Sequence, residues 1–403
     1  MGEGIAKDNM DILPSEEEQL LKNAAREFLE AEVSTALVRE MELDENGYPP
    51  ALWQQMADLG WIGLPIPEQY GGQGLPLTYM GLVMEEVGRV LAPVPLHSTT
   101  VAALTIAESG SEEQKRELLP AVCSGGMVMT WAVIERDPRL IPSALVQQAQ
   151  PDPSVGEGEG WLLNGEKMFV DNFNVARSCL VAARTAPASE ENEGISLFLI
   201  DPNGVGVSQT PLVTIAKDKQ SRVSFDNVRV TSDDLVGKLH NGWPIVERML
   251  ERATALLCCQ MLGATRKDAD MAIEYAKNRV AFGRPIAAFQ SIQHMCADMI
   301  LFTDGVQLLT YEALWKMDQG MPAGVEVSQA KAFANEKCEA VVRQSQVIHG
   351  GIGFMMEFDL HLWLRRVSAW TMRLGTTFDH RARIAGALLD KPGKVRLGQP
   401  LPA

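Results

Sequence analysis

The sequence predicts an α+β fold in three successive parts: an N-terminal helical domain over 1–126, a small antiparallel β domain over 127–241, and a C-terminal four-helix bundle over 242–403. Three observations predict it. Capping boxes at Ser15–Glu18 and Ser111–Gln114 each open a stretch of helical apolar spacing. From about Met127 the texture changes to short segments rich in β-branched and aromatic residues, parted by Gly, Pro, Asn and Asp, with no helices alternating between them. From Trp243-Pro244 onward the pattern is helical again, in runs too long for a single small unit and joined by short turns.

Residues 1–14 read as a loose polar arm. Leu20, Leu21, Ala24, Ala25, Phe28 and Leu29 recur at helical spacing, so a helix spans 16–32. A short helix over 50–59 stops at Gly60. The stretch 61–76, with three prolines and four glycines, is a structured loop. Helices follow over 76–90, with Glu85, Glu86 and Arg89 on its polar side, then over 97–109 and 112–123. Strands are expected at MVMTWAVI, GWLLNGEKMFV, SCLVAART, ISLFLID and RVSFDNVRV, forming a barrel or sandwich; the span 137–160 is part strand, part loop. Pro244 suits a first helical turn. Helices are expected from there to about Val280, then over 287–318, 324–349, 359–373 and 379–390. Their apolar faces are wide enough to imply packing between subunits.

Composition narrows the function. A formal net charge of −16 argues against nucleic acid and anionic membrane surfaces as partners. Cys123, Cys179, Cys258, Cys259, Cys296 and Cys338 show no CxxC pairing, which points to reduced thiols, a cytoplasmic location and no metal site. The acidic start MGEGIAKDNMDILP reads as neither signal peptide nor, with Ala6 in place of Ser or Thr, myristoylation signal. No apolar run reaches membrane-spanning length, so no membrane insertion is expected.

Five segments in order carry a resemblance: LGWIGLPIPEQYGGQG (59–74), GSEEQKRELLPAVCSGG (110–126), VSFDNVRVTSDDLVG (223–237), NRVAFGRPIAAFQSIQHMCADM (278–299) and QVIHGGIGF (346–354). Together the chain resembles the acyl-CoA dehydrogenase family over nearly its whole length. The resemblance implies FAD bound between the β domain of one subunit and the bundle of the next, and removal of two hydrogens from Cα and Cβ of an acyl-CoA thioester. A carboxylate takes the α-proton and the flavin takes the β-hydride.

By that resemblance, Arg279, Phe282 and Gln290 would reach the FAD of a neighbouring subunit, with Arg279 on the pyrophosphate. Gln346, Gly350 and Gly351 would serve the same region. Taken singly, Arg279 reads as a surface helix residue and the glycines as a helix stop; the shared motif turns them into a cofactor set. The contacts to the chain's own flavin look eroded. Trp131 and Val133 hold strand positions near the cofactor and Thr376 stands in the family's Glu-Gly-Thr. Yet Ile134 lacks the hydroxyl usual there, and Arg136-Asp137-Pro138 replaces a Gly-rich turn. Phe169 replaces Trp, Asp171 replaces Thr or Ser near the flavin N5, and Phe378 replaces a polar residue.

The usual base falls on Leu374. The alternative position, 30 residues before Gly283, falls on Ala253. Neither is an acid, so the catalytic residue stays unassigned. Glu247 and Glu251, each followed by Arg, read first as an ion-paired helix face, with Glu251 the weak candidate for a displaced base. The expectation is therefore a flavoprotein subunit working in a heteromeric, steroid-type acyl-CoA dehydrogenase. Its implied partners are acyl-CoA, a homologous subunit and electron-transfer flavoprotein. The alternatives are a homotetramer with a displaced base, a flavin monooxygenase or oxidase of the same fold, and a non-catalytic acyl-CoA-binding subunit.

Overall fold

A computed structural model of the chain describes residues 12–156, 158–189 and 193–390. The arm over 1–14 lies mostly outside them. Six helices come first: α1 (Glu16–Glu32), α2 (Thr35–Leu43), α3 (Pro50–Asp58), α4 (Leu77–Arg89), α5 (Leu96–Ser109) and α6 (Glu112–Cys123). Both capping boxes close reciprocally, at Ser15/Glu18 and Ser111/Gln114. Helix α2 was not anticipated. It has only nine residues, and its signal is one Ser34 cap, whose hydroxyl accepts from the Leu37 amide at 3.2 Å.

The expected polar side of α4 is corrected. Glu85 and Glu86 are both 1 % exposed. Helix α4 is packed on several sides, so no face is left for solvent, and the carboxylates are neutralised in place. Glu85 pairs with Lys22 at 2.7 Å and accepts from the Tyr311 hydroxyl at 2.6 Å; Glu86 takes Arg26 at 2.7 Å.

The middle of the chain forms one sheet from β1 (Met129–Ala132), β2 (Gln148–Pro151), β3 (Gly160–Asp171), β4 (Ser178–Arg184), β5 (Ile195–Ile200), β6 (Val207–Leu212), β7 (Gln220–Thr231) and β8 (Leu235–Val236). The order is β6-β7-β3-β2-β4-β5-β8, with β1 added to β4. Most ladders are antiparallel, as expected; β1 and β2 each meet β4 in parallel. Strand β6 is the element that periodicity misses. It is an edge strand, exposed along most of its length and carrying Pro211, so no buried face imposes alternation on it.

Helix α7 (Trp243–Asn278) then runs through the molecule, followed by the hairpin β9 (Val280–Ala281) and β10 (Arg284–Pro285). The bundle is completed by α8 (Gln290–Asp318), α9 (Gly324–His349), α10 (Leu360–Trp370) and α11 (Thr377–Ala385). Cys258 and Cys259 lie in its core at 0 % exposure. The crossing of α4 and α7 is backbone-close: a Cβ at Gly88 would stand 2.1 Å from the Gln260 carbonyl, and one at Gly263 would stand 1.7 Å from the Glu85 carbonyl. Among the described residues no helix is long and apolar enough to cross a membrane.

Candidate active site

Two sites must be separated: an open one at the end of the bundle and a closed one beneath Leu374. At the open site, α7 ends on Arg279, whose amide bonds the Tyr275 carbonyl at 2.8 Å. The next turn, Phe282-Gly283, has φ of 54° and 81°, the two positive values that a tight two-residue hairpin needs. Glycine supplies the second at no cost, but Phe282 adopts it under strain and is 93 % exposed. Its ring meets Phe289 edge-on, with centroids 6.0 Å apart. Gln290, the first residue of α8, is exposed nearby in the chain.

Helix α9 brings its own end to the same region, because the rings of Tyr275 and His349 stack at 4.4 Å. Gly350 follows with φ 63°, and no atom lies within 4 Å of where a Cβ would sit on Gly350 or Gly351. Uncrowded glycine backbone, an exposed arginine and an exposed aromatic ring therefore lie near the adjoining ends of α7 and α9. That set suits an anionic, planar ligand offered from outside the chain.

Gln346 does not share that exposure. It is 3 % exposed and both atoms of its amide lack a partner, while Val347 is 64 % exposed. Successive helical residues point about 100° apart, so the outward place on this turn goes to Val347. Gln346 therefore stands behind the outward side of this turn, and its unpartnered amide stays a candidate cofactor contact.

The closed site lies between α4, α5, α7, α10 and the end of β3. Leu374 is 3 % exposed with φ 58°, and Gly375 follows at 102°. Three buried groups hold this left-handed turn. Lys331 donates to the Trp370 carbonyl at 2.8 Å and to Asn335, which donates to the Gly375 carbonyl at 3.2 Å. His380 Nε2 donates to the Leu374 carbonyl at 2.9 Å. Burial pushes Lys331 down to about 8 and His380 down to about 4, so the imidazole is neutral.

Sequence reasoning placed Asp171 beside the reacting atoms and missed its partner. Arg373, next to Leu374, grips Asp171 with both Nη atoms, the Nη1–Oδ1 bond at 2.9 Å, and lies 3.9 Å from Asp218. The only signal for this was an arginine beside the missing base. The bidentate guanidinium takes one lone pair on each carboxylate oxygen and fixes the carboxylate's orientation toward Arg373. The cavity these groups leave is about 100 Å³, lined also by Leu91, His97, Ser98, Leu257 and Trp370. His97 turns away from chemistry: its Nε2 bonds the carbonyl of Ala253 at 2.8 Å, and burial lowers its pKa.

The remaining candidates scatter. Trp131 and Val133 are buried at 5 % and 3 %. The Thr376 hydroxyl caps α11, donating to Asp379 at 2.7 Å. Phe169 sits at φ 54°, 42 % exposed, and Phe378 is 81 % exposed. Glu251 lines a separate cleft with Glu108, Arg248 and Gly324, and burial raises its pKa; it is absent from the walls beneath Leu374. A further pair that the sequence left unnoticed is Glu135–Lys167, fully buried at 2.7 Å, with Glu135 also accepting the amides of Val146 and Gln147. It anchors the non-glycine turn at Arg136-Asp137-Pro138.

Tested against a flavin, the open face fits and the closed site does not. The open face has unblocked backbone and a phosphate-matching side chain. The closed site places an ion pair where a ligand would have to lie.

Comparisons with known proteins agree over most of the chain. Three family models match: acyl-CoA dehydrogenase N-terminal domain at 15–126, middle domain at 146–228 and C-terminal domain at 240–389. The caffeyl-CoA reductase-Etf complex subunit CarC of Acetobacterium woodii is 30% identical over 94% of this chain and 99% of its own. A variant of the Tcur3481-Tcur3483 steroid ACAD superposes with a TM-score of 0.82 at 30% identity, covering 92% of this chain and 97% of that one. The ChsE4-ChsE5 complex from Mycobacterium tuberculosis gives 0.86 at 25% identity over 95% and 100%.

Proposed function

The chain belongs to the acyl-CoA dehydrogenase family, FAD-dependent oxidoreductases that act on a CH–CH bond, and from that premise we infer that it works as one subunit of a heteromeric acyl-CoA dehydrogenase. In this role it lends contacts to a flavin held mainly by a homologous partner. Its own pocket stays outside the chemistry.

The observation that carries this reading is the Arg373–Asp171 pair beside Leu374. Dehydrogenation starts with loss of a weakly acidic α-proton, which needs a desolvated base in reach. Here the base position is aliphatic, and the nearest carboxylate is locked to a guanidinium. FAD, where bound, supplies the hydride acceptor. What this chain contributes is binding: Arg279 to phosphate charge, the uncrowded backbone at Gly350 and Gly351 to the same region, and Phe282 and Gln290 at its edge. The partner contributes the base and the pocket.

Two relatives support the finer parts. The ChsE4-ChsE5 complex pairs two named chains on this fold, and a steroid ACAD superposes over nearly the whole length; both favour a heteromer with a bulky acyl substrate. CarC belongs to a complex with Etf, which favours electron-transfer flavoprotein as acceptor. Expression with and without a homologous partner tests the reading. The chain alone should be colourless and inactive, and the complex yellow and active on acyl-CoA. A yellow chain that dehydrogenates acyl-CoA by itself would overturn it.

A further inference from the structure

The cavity beneath Leu374 is narrowed twice, once from within and once from outside. Within, the side chains of Arg373 and Asp171 meet across it. Outside, the segment 213–219 between β6 and β7 crosses its mouth and gives Lys217, Asp218 and Lys219 to the wall. Charged side chains tie this strap at several points, beside the Asn172 amide, which donates to the Lys219 carbonyl at 2.8 Å. Arg365 donates to the Ile215 carbonyl at 3.1 Å and Arg366 to the Ala216 carbonyl at 2.9 Å. Glu42 ties the other side: it takes Arg365 at 2.8 Å and Lys217 at 3.6 Å, and its carbonyl accepts from Lys219 at 3.1 Å. Among its apolar side chains, Val213 is fully exposed and Ile215 is 63 % exposed, while Ala216 is buried.

The space left inside, about 100 Å³, holds about three waters and is far below the ~300–1,000 Å³ of ordinary ligand pockets. Beyond the ion pair, its walls carry Leu91, Leu257, Trp370 and Leu374, the polar groups of Ser98, His97, Asn172 and Gln260, and the charges of Lys217, Asp218, Lys219 and Arg366. Without Arg373 and Asp171 the remainder combines those apolar walls with hydrogen-bonding and charged groups. The apolar part of that lining suits an acyl group, and the hydrogen-bonding groups suit its carbonyl. An ion pair is an expensive way to fill such a space, since apolar side chains of equal volume avoid the desolvation. Placed here, the pair excludes an apolar ligand more firmly than a void would.

We propose that Arg373 and Asp171 form an internal plug, and segment 213–219 a charge-tied lid, over a latent acyl-thioester site that this chain keeps shut. The proposal rests on the reading that chemistry takes place in a partner's pocket. It adds that this chain's pocket is closed actively by its own side chains, beyond merely lacking a base.

Titration of the full-length chain with octanoyl-CoA tests it, with flavin absorbance read separately. The wild type should bind no measurable ligand and show no thermal shift at about 1 mM octanoyl-CoA. The double variant Asp171→Ala/Arg373→Ala removes both charges together, avoiding a lone buried one. It should bind octanoyl-CoA at one site per chain, at least tenfold tighter than wild type. A folded double variant with no gain, or a wild type that already shifts with octanoyl-CoA, overturns the plug. If the double variant does not fold, the wild-type thermal shift decides alone: no shift supports closure and a shift refutes it. Yellow colour in the chain alone bears on the heteromeric reading and leaves this ligand test intact.

Discussion

At Leu374 an aliphatic side chain stands where the family resemblance implies an acid. Restoring the acid is expected to be insufficient. Leu374→Glu alone should give no dehydrogenation in a dye-coupled assay, because Arg373 would pair with the new carboxylate as it pairs with Asp171. At the open face, Arg279→Ala should lower flavin content of the assembled complex about tenfold, consistent with loss of a charge-assisted phosphate contact of about 1.5–3 kcal/mol. Flavin-to-protein absorbance measures it. His380 makes a pH prediction. Its folded pKa of about 4 lies below the unfolded value near 6.5, so the unfolded chain binds more protons between the two. Its contribution is fully present above about pH 6.5 and is lost as pH falls toward 4, on the order of 3 kcal/mol at most. Urea unfolding from pH 7 to 4 should show a shallower decline in His380→Asn than in wild type.

Among the elements, α4 depends on neighbours for its ends and its passage. It starts after Pro76 with no local side-chain cap. Asp318, at the end of α8, caps it from across the fold, accepting the amides of Leu77 at 2.6 Å and Thr78 at 3.1 Å. Asp318→Ala should cost about 1–2 kcal/mol in chemical denaturation, as lost caps do. Farther along, Gly263→Ala should cost about 3 kcal/mol or more, since the added methyl meets the Glu85 carbonyl backbone and no flexible side chain can yield. Much of this was legible beforehand: capped, periodic helices such as α1 and α6 matched to within a residue. Helix α2 and strand β6 were not, because one is a short helix of nine residues that buries only Val38 and Met41, and the other is an exposed edge with no buried face to write a period into the sequence.

For the whole molecule, the bundle presents apolar surface outward. On α8, Leu301 is 66 % exposed and Leu308 is 48 % exposed; at the open site Phe354 adds another 70 % exposed ring. The family forms tetramers, and a face of this kind suits packing against homologous chains. Leu301→Asp should reduce the assembly to smaller species in sedimentation velocity while leaving the helical signal of the chain intact.

The sequence by itself determined the family and the three-part order, because these are written in local motifs and spacings. Tertiary structure decided what those residues do. Helical phase turned Gln346 inward and Val347 outward. Packing buried Glu85 and Glu86 and set Glu251 in another cleft. Arg373 and Asp171, about two hundred positions apart in the chain, closed on each other. Which charge meets which depends on long-range contacts that no local period encodes, and here that pairing separates an open pocket from a plugged one.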